Sequence, residues 1–141
     1  MTDLGFESIN WLAVLAGGVI YMIVGGLWYG PIAGKAWMAE MGLTEEEVRE
    51  QGSPTGAMIQ SFIAALFMSA GLAFVLSMPV FREAGWQGGM MTGFILSVLL
   101  VGGSVFPNYA FENKTLRHFL IHMGNTTLAM MLVGAMMAYW R

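Results

Sequence analysis

An all-α membrane protein is the fold class this sequence predicts: four transmembrane helices in a bundle, with short interfacial and surface helices in the first loop. Three observations predict it. The stretches 8–34, 51–81, 84–111 and 118–140 contain no Asp, Glu, Lys or Arg. Each is long enough to cross a hydrocarbon core of about 30 Å, which takes roughly 20 helical residues. The 141 residues are 57% hydrophobic and only 11% charged, whereas a soluble domain carries about 25% charged residues. Spans at about 9–29, 54–78, 86–106 and 116–140 use nearly the whole chain, which therefore reads as one transmembrane domain over residues 1–141.

The first span runs from about Ile9 to Tyr29, with Trp11 at one interface and Trp28 and Tyr29 at the other, where amphipathic rings sit at headgroup depth. Pro31 and Gly34 are expected to break it. Between Lys35 and Met41, Trp37, Met38 and Met41 share one side and Lys35 and Glu40 the other. That pattern predicts a short interfacial helix, ended by Gly42. Leu43-Thr44-Glu45-Glu46-Glu47-Val48 is a helix start: Thr44 caps, and Glu47 occupies the capping-box position. This short helix ends near Gln51-Gly52, and its acidic run reads as a solvated cap.

Ser53 as cap and Pro54 at the first helical position open the second span, which Pro79 stops after Met78. Trp86 opens the third. Pro107 kinks or ends it near Phe106, with a further turn over Asn108–Asn113 as the alternative. Thr115 caps the fourth span, which ends at the interfacial Trp140.

The acidic, Arg- and Lys-free N-terminus (Asp3, Glu7) does not resemble a secretory signal. The absence of cysteine excludes disulfides, thiolate metal sites and cysteine nucleophiles. A net charge of -3 without a basic cluster points away from nucleic acid. Lys35, Arg49, Lys114 and Arg117 lie in the first and third loops, against Arg82 and Arg141 on the other side. The positive-inside rule then places the first and third loops in the cytoplasm.

Helices in lipid associate through close contact at small residues. Ser61, Ala65, Ser69 and Ala73 form such a stripe on the second span, and Gly89, Gly93 and Ser97 on the third. Ala13 and Gly17, and Gly134 and Ala138, do the same on the first and fourth. These stripes serve packing within one bundle, packing between subunits, or both.

No carboxylate or permanent cation lies mid-span, which argues against a proton-coupled exchanger. The polar positions gather at one end. His118, His122 and Asn125 share a face of the fourth span, Asn108 and Glu112 precede it, and Tyr29 and Lys35 lie on the same membrane side. The cluster is either a site for a small molecule, a lipid headgroup or a metal, or a set of interhelical hydrogen bonds that satisfies polar groups in a dry environment. The two histidines need further ligands to hold a metal, Glu112 being one candidate. The fourteen methionines read as flexible apolar filler rather than a copper site. No hydrolytic or phosphate-binding motif is present, and neither a cofactor nor a metal is expected.

Asn10-Trp11-Leu12-Ala13-Val14, Gly26-Leu27-Trp28-Tyr29-Gly30-Pro31, Gly34-Lys35-Ala36-Trp37-Met38, Phe111-Glu112-Asn113-Lys114 and the terminal Trp140 resemble the bacterial "domain of unknown function 1761" family. The resemblance runs through the whole chain in order. It implies a small four-span bacterial membrane protein without assigned activity, in which Trp28, Tyr29, Lys35, Trp37 and Glu112 belong to a shared pattern. In the fourth span the chain departs, since relatives often carry Asn near His122 and Tyr-His near Asn125-Thr126. A family-wide histidine role therefore does not transfer to His122.

Two functions are expected. The first is a non-enzymatic protein of the bacterial inner membrane that forms a homo-oligomer or supports a membrane complex through its small-residue faces. The alternative is a small-solute or lipid-binding transporter or channel that uses the polar end of the fourth span.

Overall fold

The computed structural model describes residues 5–140; Asp3 and Arg141, used above for the signal and orientation readings, lie outside them. Six helices follow one another: α1 (Trp11–Ile32), α2 (Gly34–Met41), α3 (Glu45–Glu50), α4 (Thr55–Ser77), α5 (Trp86–Phe111) and α6 (Leu116–Tyr139). Helices α1, α4, α5 and α6 are long and apolar enough to cross a membrane. Among the described residues there is no strand.

The caps form largely as the sequence predicts. Asn10 Oδ1 accepts from Ala13 N at 3.1 Å, Thr44 Oγ1 from Glu47 N at 3.1 Å, and Thr115 Oγ1 from His118 N at 3.0 Å. Gly42, at φ 68°, ends α2: its N–H reaches Ala39 O while Leu43 N–H reaches Met38 O. This paired closure needs the left-handed backbone that glycine adopts freely. Asn113 (φ 56°) closes α5 in the same way, with Lys114 N–H on Tyr109 O. One cap differs. Pro54 stands outside α4, at its N-cap, and Ser53 pairs with the Thr55 hydroxyl rather than with a backbone amide.

Pro79 follows the end of α4 as expected, whereas α1 does not break at Pro31, and α5 passes Pro107 and takes the alternative of a further turn. α1 runs past Pro31 to Ile32 because the backbone widens there to an i→i+5 turn, which Ala33 N–H closes onto Trp28 O at 2.6 Å. α5 widens at Leu96–Gly102 and then carries Pro107 inside the helix as far as Phe111. One missing N–H is tolerated in membrane helices because local adjustment re-satisfies the freed groups.

Helix α6 is the hub. It packs along α5 on one side and against α1 and α4 on the other, while α1 and α4 pair with each other. The α5–α6 seam is backbone on backbone. A Cβ at Gly89 would collide with Gly134 O, one at Gly93 with Met130 O, and one at Gly134 with Gly89 O. Ser97 continues the seam by hydrogen bonding Thr127 at 2.7 Å. On the α1–α4 side, Ser69 Oγ donates to Val14 O at 2.8 Å beside Gly17, whose hydrogen leaves room for it. Ala65 is buried, Ala73 packs at the core margin and Ser61 is exposed. The stripes of α4 and α5 are thus used largely inside one bundle. Ile9, Ala13, Val14, Leu72, Leu76, Val133 and Met137 form an apolar core in the half nearer the chain ends.

Ser69→Ala removes an interhelical bond without steric change. It is expected to cost about 0.6 kcal/mol, the average for such bonds in membranes, and at most about 1.7 kcal/mol. Denaturant unfolding in detergent reads it, and an unchanged midpoint would show that the bond carries no stability.

Candidate functional site

The other half of the bundle holds the polar groups. The Asn113 closure folds the end of α5 back onto the start of α6, which sets Tyr109 beside both histidines. Tyr109, only 7% exposed, shares a 2.6 Å hydrogen bond with His122 Nδ1. The His118 ring meets that of His122 edge-on, with centroids 4.7 Å apart, and lies 5.6 Å from Tyr109. Tyr29, from α1, closes the third side with its ring 5.6 Å from His122 and 6.0 Å from Trp37 of α2.

Trp28 locks α1 to α6 at the same level. Its indole N–H donates to Ile121 O at 2.8 Å, and its ring lies where a Cβ on Gly124 would be, 2.5 Å from the nearest ring carbon. From the first loop, Glu40 accepts the Thr115 hydroxyl at 2.7 Å and approaches Arg117 at 3.9 Å. Helix α2 is thereby fastened over the N-terminus of α6.

Two atoms in this region have no hydrogen-bond partner among the described residues: His118 Nε2 and Asn125 Oδ1. Their residues are 4% and 8% exposed. An unpaired buried polar atom costs about 1–3 kcal/mol, so the site carries two unspent hydrogen-bonding positions about two turns apart on α6.

His118, His122, Asn125 and Tyr29 therefore come together, or lie along one face. Asn108, Glu112 and Lys35 stay exposed. Glu112 pairs instead with Lys114 at 2.8 Å, a surface contact that raises the lysine's pKa. With Glu112 turned to that partner, the histidine pair gains no third ligand. Among the described residues no group of three His, Cys, Asp or Glu converges as a metal site.

Sequence reasoning passed over Tyr109 and underused Glu40. Asn108 and Glu112 stood out as a polar pair, but Tyr109 lies about 100° further round the helix, on the face that α6 covers. A hydroxyl-bearing ring in the last turn of a span was the available signal. Tyr109→Phe is expected to destabilise the bundle by about 1 kcal/mol and to change the tautomer balance of His122. Nitrogen-15 NMR of the imidazole reads the latter, and an unshifted spectrum would refute the contact.

A family model described as "Protein of unknown function (DUF1761)" matches residues 12–138. No curated protein and no solved structure matches the chain.

Proposed function

The chain belongs to the DUF1761 family, and from that premise we propose that it is a non-enzymatic membrane protein that holds a small neutral polar solute at the histidine end of α6. The observation that carries this reading is the pair of buried, unpartnered atoms His118 Nε2 and Asn125 Oδ1. Asn125 Oδ1 can only accept a hydrogen bond, so the solute must offer a donor. Arg117, the one charged residue in the four spans, is exposed and approaches Glu40, which disfavours a charged ligand in so dry a place. The apolar core in the opposite half of the bundle makes binding, rather than an open pore, the natural role.

Native mass spectrometry of protein released from nanodiscs tests this. A small non-lipid molecule is expected at one per chain in the wild type, and none in His118→Leu. A wild type with no such adduct, or a variant that keeps it, refutes the site.

Self-association is a second reading. Its support is the set of small residues that the bundle leaves open: Gly25, Gly26 and Gly103 meet no neighbouring atom within 4 Å of a built Cβ, and Ser61 is exposed. A discrete homo-oligomer in the same spectra, lost on Gly26→Leu, would favour it. We further place the first and third loops in the cytoplasm of a bacterial inner membrane, on the balance of basic residues.

A further inference from the structure

At the end of the bundle opposite the histidines, α1, α4 and α6 separate around a half-open cavity of about 330 Å³, a volume within the range of about 300–1,000 Å³ typical of small-molecule sites. Its floor is apolar: Ile9, Ala13, Ala73, Leu76 and Met137. Its rim carries Arg82, Asn10 and Trp140. Asn10 is committed, since its side chain caps α1 through Ala13 N and reaches Trp140 O at 3.4 Å. Arg82 is exposed and has no carboxylate within ion-pair distance among the described residues. The positive end of the α1 dipole lies at the same rim.

Trp140 also borders a second apolar trough of about 460 Å³, which follows Leu12, Leu15, Ala16, Val19 and Ile20 down the outer face of α1. Leu12 to Ile20 covers about 12 Å at a rise of 1.5 Å per residue, a depth that stays within one leaflet. Two apolar troughs therefore meet at one tryptophan beside one exposed guanidinium.

We propose that this end of the protein holds one anionic phospholipid. One acyl chain occupies the cavity between α1, α4 and α6, the second lies in the trough on α1, and the phosphate pairs with Arg82. A free fatty acid would fill only one trough. A polar solute would leave the apolar floor unmatched. A zwitterionic headgroup would bring an ammonium towards the guanidinium. The site is independent of the histidine end.

The test is native mass spectrometry after equilibration with nanodiscs of equal phosphatidylglycerol and phosphatidylcholine. One phosphatidylglycerol per chain is expected to survive release. Arg82→Gln is expected to lower its retention about fivefold, the effect of one basic residue near a headgroup, with phosphatidylcholine unchanged. Ala73→Phe fills the cavity and is expected to abolish phosphatidylglycerol retention. Ala73→Leu serves if the larger ring unfolds the bundle, as judged by circular dichroism. His118→Leu, which is expected to lose the solute, is expected to leave lipid retention unchanged, which separates this site from the solute site. Equal phosphatidylglycerol retention by wild type, Arg82→Gln and Ala73→Leu overturns the proposal. So does retention of a free fatty acid in its place, or of no lipid at all.

Discussion

Gly93→Leu is expected to prevent α5 from docking on α6 and to cost more than about 3 kcal/mol, the upper end of ordinary overpacking penalties. A Cβ at Gly93 would collide with the carbonyl of Met130, and one at Gly89 with that of Gly134. Both obstacles are backbone, so no rotamer change relieves them and the helices must move apart. Separation would also break the 2.7 Å bond between Ser97 and Thr127. Helix α5 makes its main packing contact with α6, so a second partner cannot compensate. Gly103→Ala is the matched control. A Cβ there meets nothing within 4 Å, and the change should be neutral or stabilising by up to about 1 kcal/mol through helix propensity. Reversible unfolding in bicelles compares the two. Should Gly93→Leu keep near wild-type stability while an oligomer falls apart, the α5 stripe would face a neighbouring subunit.

Substitution of the two histidines is expected to change stability in opposite directions. His118→Leu removes a buried nitrogen that has no partner in the protein. Relief of that desolvation, about 1–3 kcal/mol, together with the apolar contacts a leucine makes in the same space, about 1.5–3 kcal/mol, exceeds the loss of the two edge-on ring contacts, about 0.5–1.5 kcal/mol each. The solute-free protein should gain roughly 1 kcal/mol. His122→Ala does the reverse, because it strips Tyr109 of its 2.6 Å partner and leaves a buried hydroxyl unpaired. It should lose about 1–3 kcal/mol. Thermal midpoints of both variants in one detergent, after solute removal, decide the matter. Destabilisation by His118→Leu would mean that the imidazole is satisfied within the protein, and the proposed solute site would lose its basis. Gain of stability with loss of binding is the signature of a residue held for function.

How much of this was legible beforehand differs between the fold and the site. The four spans, the helix starts at Thr44 and Thr115, and the stop at Gly42 depend on residues within a turn or two of one another, and local chemistry declares them. The ends of α1 and α5 were less legible. Pro31 and Pro107 are breakers by local rules, yet the widened turn in α1 accommodates the first, and α5 continues through the second. Whether a helix absorbs a proline depends on how its neighbouring backbone groups are re-satisfied, which no short window of sequence contains.

For the site, helical spacing alone placed His118, His122 and Asn125 on one face. It could not say which of their polar atoms would find partners. Tyr109 reaches His122 across thirteen residues, Trp28 reaches Ile121 across ninety-three, and Glu40 reaches Thr115 across seventy-five. By itself, then, the sequence determined that this is a four-span helical membrane protein with a polar end, because apolar length and local capping answer to the solvent around each segment. Only the tertiary structure decided which small residues lie at helix seams and which polar atoms remain unpaired. Those outcomes depend on what each side chain meets on another helix, and composition and periodicity leave that partner open.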